Sequence, residues 1–345
     1  MSNDSERRPL VSVITPCYNA AAFVGETLAS VAAQRAPTLE HIVVDDGSTD
    51  ASWAVITAAA AAHPLGRLRA VRLEANQGGA HARNVGAALA RGAYLMFLDA
   101  DDVLAPGTLA ALADAAEAQP HAIAVCAWGR LARDGERWVE TPTEVAFPPP
   151  PDPLLGWLGG TYVPPCGVLW PRDVYDRTGG WDEALTVNQD GDLMMRALAA
   201  GERLRVVPGG PLAWYRTHTD GSVSRPTYTR AWVESQLRVI DKIAVALGPR
   251  ATSDPYGARI ALSYAHLGRL GMLHGHRALA GICFRRSEQY QAGGATPKTW
   301  VGRLLHATLG LEGKERIAAM LARLGIGTAL RREFLARHRA AERKA

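Results

Sequence analysis

The sequence predicts an α/β fold: a mainly parallel sheet flanked by helices, followed by a helical C-terminal region. Three observations predict it. Short β-branched or apolar runs alternate with helical periodicities over the first 130 residues, the pattern of successive βαβ units. The spacing between the runs leaves room for one crossover helix each. Beyond about Thr227 helical periodicity takes over.

The elements follow in order. VSVIT, Val11–Thr15, is the first strand. Val24, Leu28 and Val31 then recur at helical spacing, with Asn19 or a neighbour placed to cap the helix. HIVV, His41–Val44, is the second strand, and STDASWAVI opens a helix with Trp53, Ile56 and Ala60 on one face. LRAVRL, Leu68–Leu73, is the third strand. Ala82, Val85 and Leu89 mark the next helix, which Gly92 is placed to end. AYLMFL is the fourth strand, and Pro106 opens a helix carrying Leu109 and Leu112. FPPPPDP, Phe147–Pro153, reads as loop, neither helix nor central strand. NQDGDLMMRALAAG reads as a helix ending before Gly201. The expected division is a flexible segment 1–9, a domain over 10–226 in two halves (10–130 and 131–226), and a helical region 227–345.

Composition narrows the function. A net charge of +4 over 345 residues gives no global argument for nucleic acid. Cys17, Cys126, Cys166 and Cys283 are far apart, with neither metal-ligand nor disulfide-framework spacing, which suits a reducing cytoplasm. The N-terminus MSNDSERRPL has no apolar signal core, and no apolar run approaches the roughly 18 residues of a membrane span. Residues 301–345 hold ten Lys/Arg against four Asp/Glu. Two readings of that segment stand: a basic interfacial helix making peripheral contact with anionic lipid, or a helix packing on the rest of the chain or on a second subunit.

In open parallel sheets ligands bind beyond the carboxyl ends of the strands. TPCYN, DDGSTD, EANQGG and DADD follow the four strands, so every polar and glycine cluster of this half falls at one sheet edge. In YLMFLDADDVL a buried-type strand runs into Asp99, Asp101 and Asp102. Burying carboxylates costs several kcal/mol each, of order 3–5, unless a cation meets them. Two carboxylates at i and i+2 suit a hard divalent cation completed by phosphate oxygens and water; the other reading is an acidic cluster at a helix start. DDGSTD suits a tight turn in which Asp46 accepts hydrogen bonds from a base or ribose, or an ordinary Asp-Gly turn before a capped helix. NQGGAHARN offers two glycines and Arg83 for an anion, or a turn before a surface helix.

Together these stretches resemble family-2 glycosyltransferases of the GT-A fold. VSVITPCYNA, IVVDDGSTD, NQGGAHARNVGAALARGAYLMFLDADD and GGWDEALTVNQDGDLMMRALAAG are similar to that family's successive signatures, from about Leu10 to His218, roughly 60% of the chain. The resemblance implies a GT-A-type, Rossmann-like sheet and transfer of a sugar from a nucleoside-diphosphate sugar, a UDP-sugar above others, to a hydroxyl. It implies inversion, a divalent metal (Mg²⁺ or Mn²⁺), and a glycan, lipid-linked or small-molecule acceptor. The setting implied is polysaccharide, cell-envelope glycan or glycoconjugate biosynthesis. It places Pro16, Tyr18, Asn19, Asp46, Arg83 and Asp99 along the nucleotide sugar, Asp101 and His218 at the metal, Trp181 and Asp182 on the acceptor side, and Asp190 as the base. Gln189 departs from the family's Glu-Asp pair; losing that neighbouring charge should modestly lower the pKa of Asp190. Asp192 is the rival base two residues on. A loop histidine bonded to backbone is the other reading of His218. The competing functions are a nucleotidyltransferase of similar sheet, whose basic Gly-rich loop TPCYNAAAF lacks, and a non-catalytic nucleotide-sugar binder.

Overall fold

A computed structural model describes residues 11–35, 38–63, 67–134, 137–142, 151–210, 212–217, 227–290, 308–317 and 320. The chain divides into two compact units, one of Met1–Pro151, Thr161–Glu183 and Gln189–Ser222, the other of Asp152–Gly160, Ala184–Asn188 and Val223–Ala345. The expected flexible segment 1–9 lies outside the described residues.

The first unit opens with β1 (Val11–Cys17), α1 (Val24–Ala32), β2 (Leu39–Asp45), α2 (Ser52–Ala62), β3 (Leu68–Arg72), α3 (Gly79–Leu89) and β4 (Tyr94–Phe97). The chain continues through β5 (Val103–Leu104), α4 (Thr108–Ala118), β6 (Ala122–Val125), β7 (Trp128–Asp134), β8 (Arg137–Pro142), α5 (Pro153–Leu158, in the second unit), β9 (Val168–Pro171), α6 (Arg172–Thr178), α7 (Gln189–Ala199), β10 (Arg203–Val206) and β11 (Ala213–Thr217). Seven strands form one sheet in the order β10-β6-β9-β4-β1-β2-β3. Its ladders are parallel except the two made by β9, which runs antiparallel to β4 and β6. A second sheet orders β5-β11-β7-β8.

The alternation within β2 shows how the sheet is clad. Val43 packs on one face with Val24, Leu28 and Ile56 of α1 and α2. Ile42 and Val44 face the other way, against Ala82, Val85 and Leu89 of α3. Each such side chain, fully buried, contributes about 1.5–3 kcal/mol. Helix α3 lies unusually close because Gly86 has no Cβ; one there would stand 2.4 Å from Cγ2 of Ile14. With β1 to β4 parallel, their carboxyl ends share one edge, as the sequence pattern requires.

Three local expectations are corrected. Asn19 does not cap α1, whose N-terminal flank is Phe23 with no side-chain cap. Asn19 instead takes a left-handed φ of 49° and its Oδ1 accepts the Thr49 N–H at 2.8 Å. Gly92 does not end α3, which gives way at Ala90 to extended backbone; the Gly92 N–H donates to Ser12 Oγ at 2.8 Å, where a Cβ would collide with β1. Pro153 is not loop but the first residue of α5, with the Asp152 side chain accepting the Leu155 N–H at 3.0 Å. All four cysteines are free and buried.

The second unit contains α5, α8 (Arg230–Leu247), α9 (Tyr256–Leu273), α10 (Arg277–Tyr290) and a helical segment over 308–317. Ala265, Met272, Ala280, Phe284 and Leu311 form its apolar cluster. Asp241 accepts the Tyr264 hydroxyl at 2.7 Å and pairs with Arg286. Leu311, Lys314 and Glu315 are buried, so the start of the basic C-terminal segment packs within this unit. Its later part, including Arg331, Arg332, Arg337 and Arg339, lies outside the described residues. Among the described residues no helix is long and apolar enough to cross a membrane.

Candidate active site

The loops after β1 and β2 are stapled together. The Asn19 N–H donates to Ser48 Oγ at 3.0 Å, Ala20 N–H to Ser52 Oγ at 2.8 Å, and Ala21 N–H to Asp50 at 3.1 Å. Pro16 is buried within β1, in register with Val44, while Tyr18 stands 47% exposed at the loop tip. Gly47 has φ of 70°, and any Cβ there would lie 2.8 Å from the Ala75 backbone; only glycine lets the loops after β2 and β3 touch. Asp46 locks that contact, its carboxylate accepting the Gln77 and Gly78 N–H groups, both at 2.8 Å. It is 2% exposed, its carboxylate turned into that contact.

The three aspartates after β4 diverge. Asp99 accepts from Arg83 Nη2 at 2.5 Å. Asp101 is half-exposed, and its carbonyl accepts Arg216 Nε at 2.7 Å. Asp102 is buried; its carboxylate accepts the Arg216 N–H at 2.9 Å, and its carbonyl accepts Thr27 Oγ1 at 2.8 Å. Burial, then the neighbouring Asp101 and Asp99, push the Asp102 carboxyl well above the usual carboxylate range. Arg216 comes from β11, its guanidinium over the Trp138 ring at 4.3 Å. The second sheet thus braces the acidic turn.

Arg83, near the start of α3, links three parts of the site. Besides Asp99 it donates from Nη1 to Gln189 Oε1 at 3.2 Å and lies 4.6 Å over the Trp181 ring. Trp181 is 5% exposed and packs edge-on against Phe97 at 5.0 Å. Asn84 fixes its backbone by accepting its N–H and donating to its carbonyl, both at 3.0 Å. Trp181 therefore underlies Arg83, while the next residue, Asp182, is half-exposed.

Asp190 opens α7 half-buried, within the electrostatic reach of both Arg83 and Asp99. Burial raises its carboxyl above the ordinary range, against the lowering by the Tyr162 phenol, the Gly191 N–H and Arg83. The net direction is upward, because desolvation outweighs those three. Asp192 points elsewhere on the helix. It is fully buried and pairs at 2.9 Å with Nε of Arg196, whose Nη1 and Nη2 donate to the carbonyls of Thr178 and Gly180. That network makes Asp192 structural.

The fold brings Arg83, Asp99 and Asp190 together, with Asp101 on the same turn as Asp99. Pro16, Tyr18, Asn19 and Asp46 fall on the adjoining loops after β1 and β2. His218 lies outside the described residues. Among the described residues no group of three or more His, Cys, Asp or Glu side chains is arranged to hold a metal. Sequence reasoning missed Tyr162, Asn84 and Arg216. Asn84 closed the quoted stretch NQGGAHARN, and Arg216 follows two aromatics, Trp214 and Tyr215, a usable signal; Tyr162, in an irregular loop, offered none.

Residues 12–175 match the family model described as glycosyl transferase family 2. The chain is 31% identical over 229 residues to the succinoglycan biosynthesis protein ExoO of Rhizobium meliloti (strain 1021), covering 64% of each chain. It is 34% identical over 216 residues to the succinoglycan biosynthesis protein ExoU of the same organism, covering 57% of this chain and 59% of that one. The chain thus spans about six tenths of the length of these curated relatives. The crystal structure of S. aureus TarS 1–349 in complex with UDP-GlcNAc superposes with a TM-score of 0.68 at 20% identity, over 92% of this chain and 93% of that one. That likeness is one of fold.

Proposed function

From the premise that this chain belongs to glycosyl transferase family 2 through residues 12–175, we propose that it moves a sugar from a UDP-sugar to an acceptor hydroxyl, with inversion, in polysaccharide or cell-envelope glycan biosynthesis. The observation that carries the reading is Asp190, a half-buried carboxylate of raised pKa, set beside the Arg83–Asp99 pair at the carboxyl edge of the sheet. The relatives named for succinoglycan biosynthesis support the polysaccharide setting, and the UDP-GlcNAc bound by TarS supports the donor class.

In this reading Asp190 takes the proton of the acceptor hydroxyl as its oxygen bonds to the anomeric carbon, and the bond from that carbon to the diphosphate oxygen breaks. A raised carboxyl pKa makes the ionised carboxylate a stronger base. Arg83, held in place by Asp99, Gln189 and the Trp181 ring, supplies fixed positive charge beside the reacting groups. Pro16, Tyr18 and Asn19 line the nucleotide, Asp46 shapes its base-side wall, and Asp182 meets the acceptor above buried Trp181.

Enzymes of this family generally use a divalent metal. Half-exposed Asp101, on the turn that Asp102 and Arg216 brace, has the hard carboxylate oxygens such an ion takes. Asp101, with His218, would hold Mg²⁺ or Mn²⁺, which when bound neutralises charge on the leaving diphosphate.

Release of UDP from a panel of UDP-sugars tests this function. Turnover that requires Mg²⁺ or Mn²⁺ and collapses in Asp101→Asn, with melting temperature unchanged, is expected. Thermal stabilisation by the nucleotide sugars with no turnover would replace the reading by a non-catalytic binder.

The setting proposed is cytoplasmic, with the basic segment after Gly327 as a peripheral contact to anionic lipid. Each surface-adjacent Lys/Arg contributes about 1 kcal/mol to such binding. The full chain should co-sediment with phosphatidylserine vesicles at low salt and release at high salt, while a chain ended at Gly327 stays in solution. Equal behaviour of the two chains would reject the contact.

A further inference from the structure

Arg83 and Asn84 are neighbours on α3, and both side chains meet Trp181. The guanidinium lies over the indole ring, while the Asn84 amide grips the main chain of the same residue. Asparagine weakens a helix interior relative to alanine, and here its amide is committed in every direction. Oδ1 accepts the Trp181 N–H at 3.0 Å and the Tyr175 hydroxyl at 3.1 Å. Nδ2 donates to the Trp181 carbonyl at 3.0 Å and to Glu183 Oε1 at 2.7 Å. Glu183 is held in turn by His81 Nδ1 at 2.9 Å, earlier on the same helix. Gly180 makes the approach possible: its φ is 71°, and a Cβ there would stand 3.1 Å from Asn84 Oδ1. The Trp181 ring stops edge-on against Phe97, at 5.0 Å. A closed circuit results, from α3 through the Asn84 amide to Trp181, and from its ring back through the Arg83 guanidinium to α3.

We propose that Asn84 is the positioning residue for Arg83: by fixing the Trp181 main chain it fixes the ring on which the guanidinium lies, and so sets where the positive charge stands. This rests on the reading of Arg83 as the cation beside the reacting groups. Asp99 and Gln189 meet the guanidinium through Nη2 and Nη1. Two contacts at its outer nitrogens leave the plane free to rock about the line joining them. A ring held flat beneath removes that freedom, and the ring stays there only while its main chain is clamped.

A fluorine label reads the circuit without an acceptor. In the full chain carrying 5-fluorotryptophan, the Trp181 resonance is identified among the nine tryptophans by its loss in Trp181→Phe. Arg83→Gln takes the cation off the ring and is expected to move that resonance. Made in Asn84→Ala, the same substitution is expected to move it about half as much or less, because linked sites are not additive. Asn84→Gln, a neutral amide one methylene too long, carries the same cycle should Asn84→Ala not fold. An undiminished effect of Arg83→Gln in the folded variant overturns the proposal. UDP release supplies the functional side. Tyr162, Arg83 and Asp99 act on the Asp190 carboxyl, and Arg83 lowers it. A displaced guanidinium lowers it less, so the acid limb of the pH–rate profile in Asn84→Ala is expected to move to higher pH, by less than in Arg83→Gln. A purely structural Asn84 would lower the melting temperature and leave that limb in place, which also overturns the proposal. An unmoved limb in Arg83→Gln would instead remove the reading of Arg83 at the reaction, an outcome the fluorine cycle keeps separate.

Discussion

Asp190→Asn is expected to lose UDP-sugar turnover by about 10²–10⁴-fold, the usual contribution of a general base, while still binding the donor. Asparagine keeps the shape of the side chain, so the fold should be preserved. Asp192→Asn should do the opposite. Its carboxylate is buried against Arg196, whose other donors hold the carbonyls of Thr178 and Gly180 that lead into Trp181. That variant should lower the melting temperature and spare kcat in whatever fraction remains folded. Steady-state kinetics with parallel thermal melts distinguishes the two; a live Asp190→Asn beside a folded, dead Asp192→Asn would transfer the base to Asp192.

The second large effect is expected at Arg83. Arg83→Gln removes the cation from a cluster that contains Asp99 and Asp190, and strips the Trp181 ring of its stacked guanidinium. Breaking a wholly buried pair costs about 3–5 kcal/mol. The Asp99 side chain keeps 25% of its exposure, so solvent screening reduces the expected loss to about 1–3 kcal/mol. Arg83 lowers the Asp190 carboxyl, so its removal should carry the acid limb of the pH–rate profile to higher pH. Because only the ionised base works, turnover at a fixed pH on that limb falls. Arg83→Lys should recover part of the charge effect but not the link to Gln189, since a point charge does not replace a planar fork. Wild-type melting and an unshifted acid limb in Arg83→Gln would contradict this account of the cluster.

The sheet was legible because its strands are buried on both faces. Ile42, Val43 and Val44 can only be interior, and the βαβ spacing forces four carboxyl ends to one edge. The acidic turn was legible as a place: three carboxylates directly follow an apolar run. What each aspartate does was not legible. Asp99 meets Arg83 across 16 residues, and Asp102 meets Arg216 across 114, and nothing local in the sequence announces contacts of that range. The rise of the Asp190 pKa was not legible for a related cause. Replacing a neighbouring charge is a sequence fact, whereas desolvation depends on how the folded chain packs around the carboxylate. Helix ends were misread at Asn19 and Gly92, where loop-to-loop and strand-to-loop hydrogen bonds outcompete capping.

One-dimensional proton NMR of the sugar first released from a UDP-α-sugar, in the presence of Mg²⁺, tests the central claim most directly. Single displacement by an acceptor oxygen activated at Asp190 predicts that the β anomer appears first and that Asp190→Asn releases neither anomer at a comparable rate. Initial appearance of the α anomer would contradict the account, because it requires a covalent or same-face route that does not use Asp190 as the base.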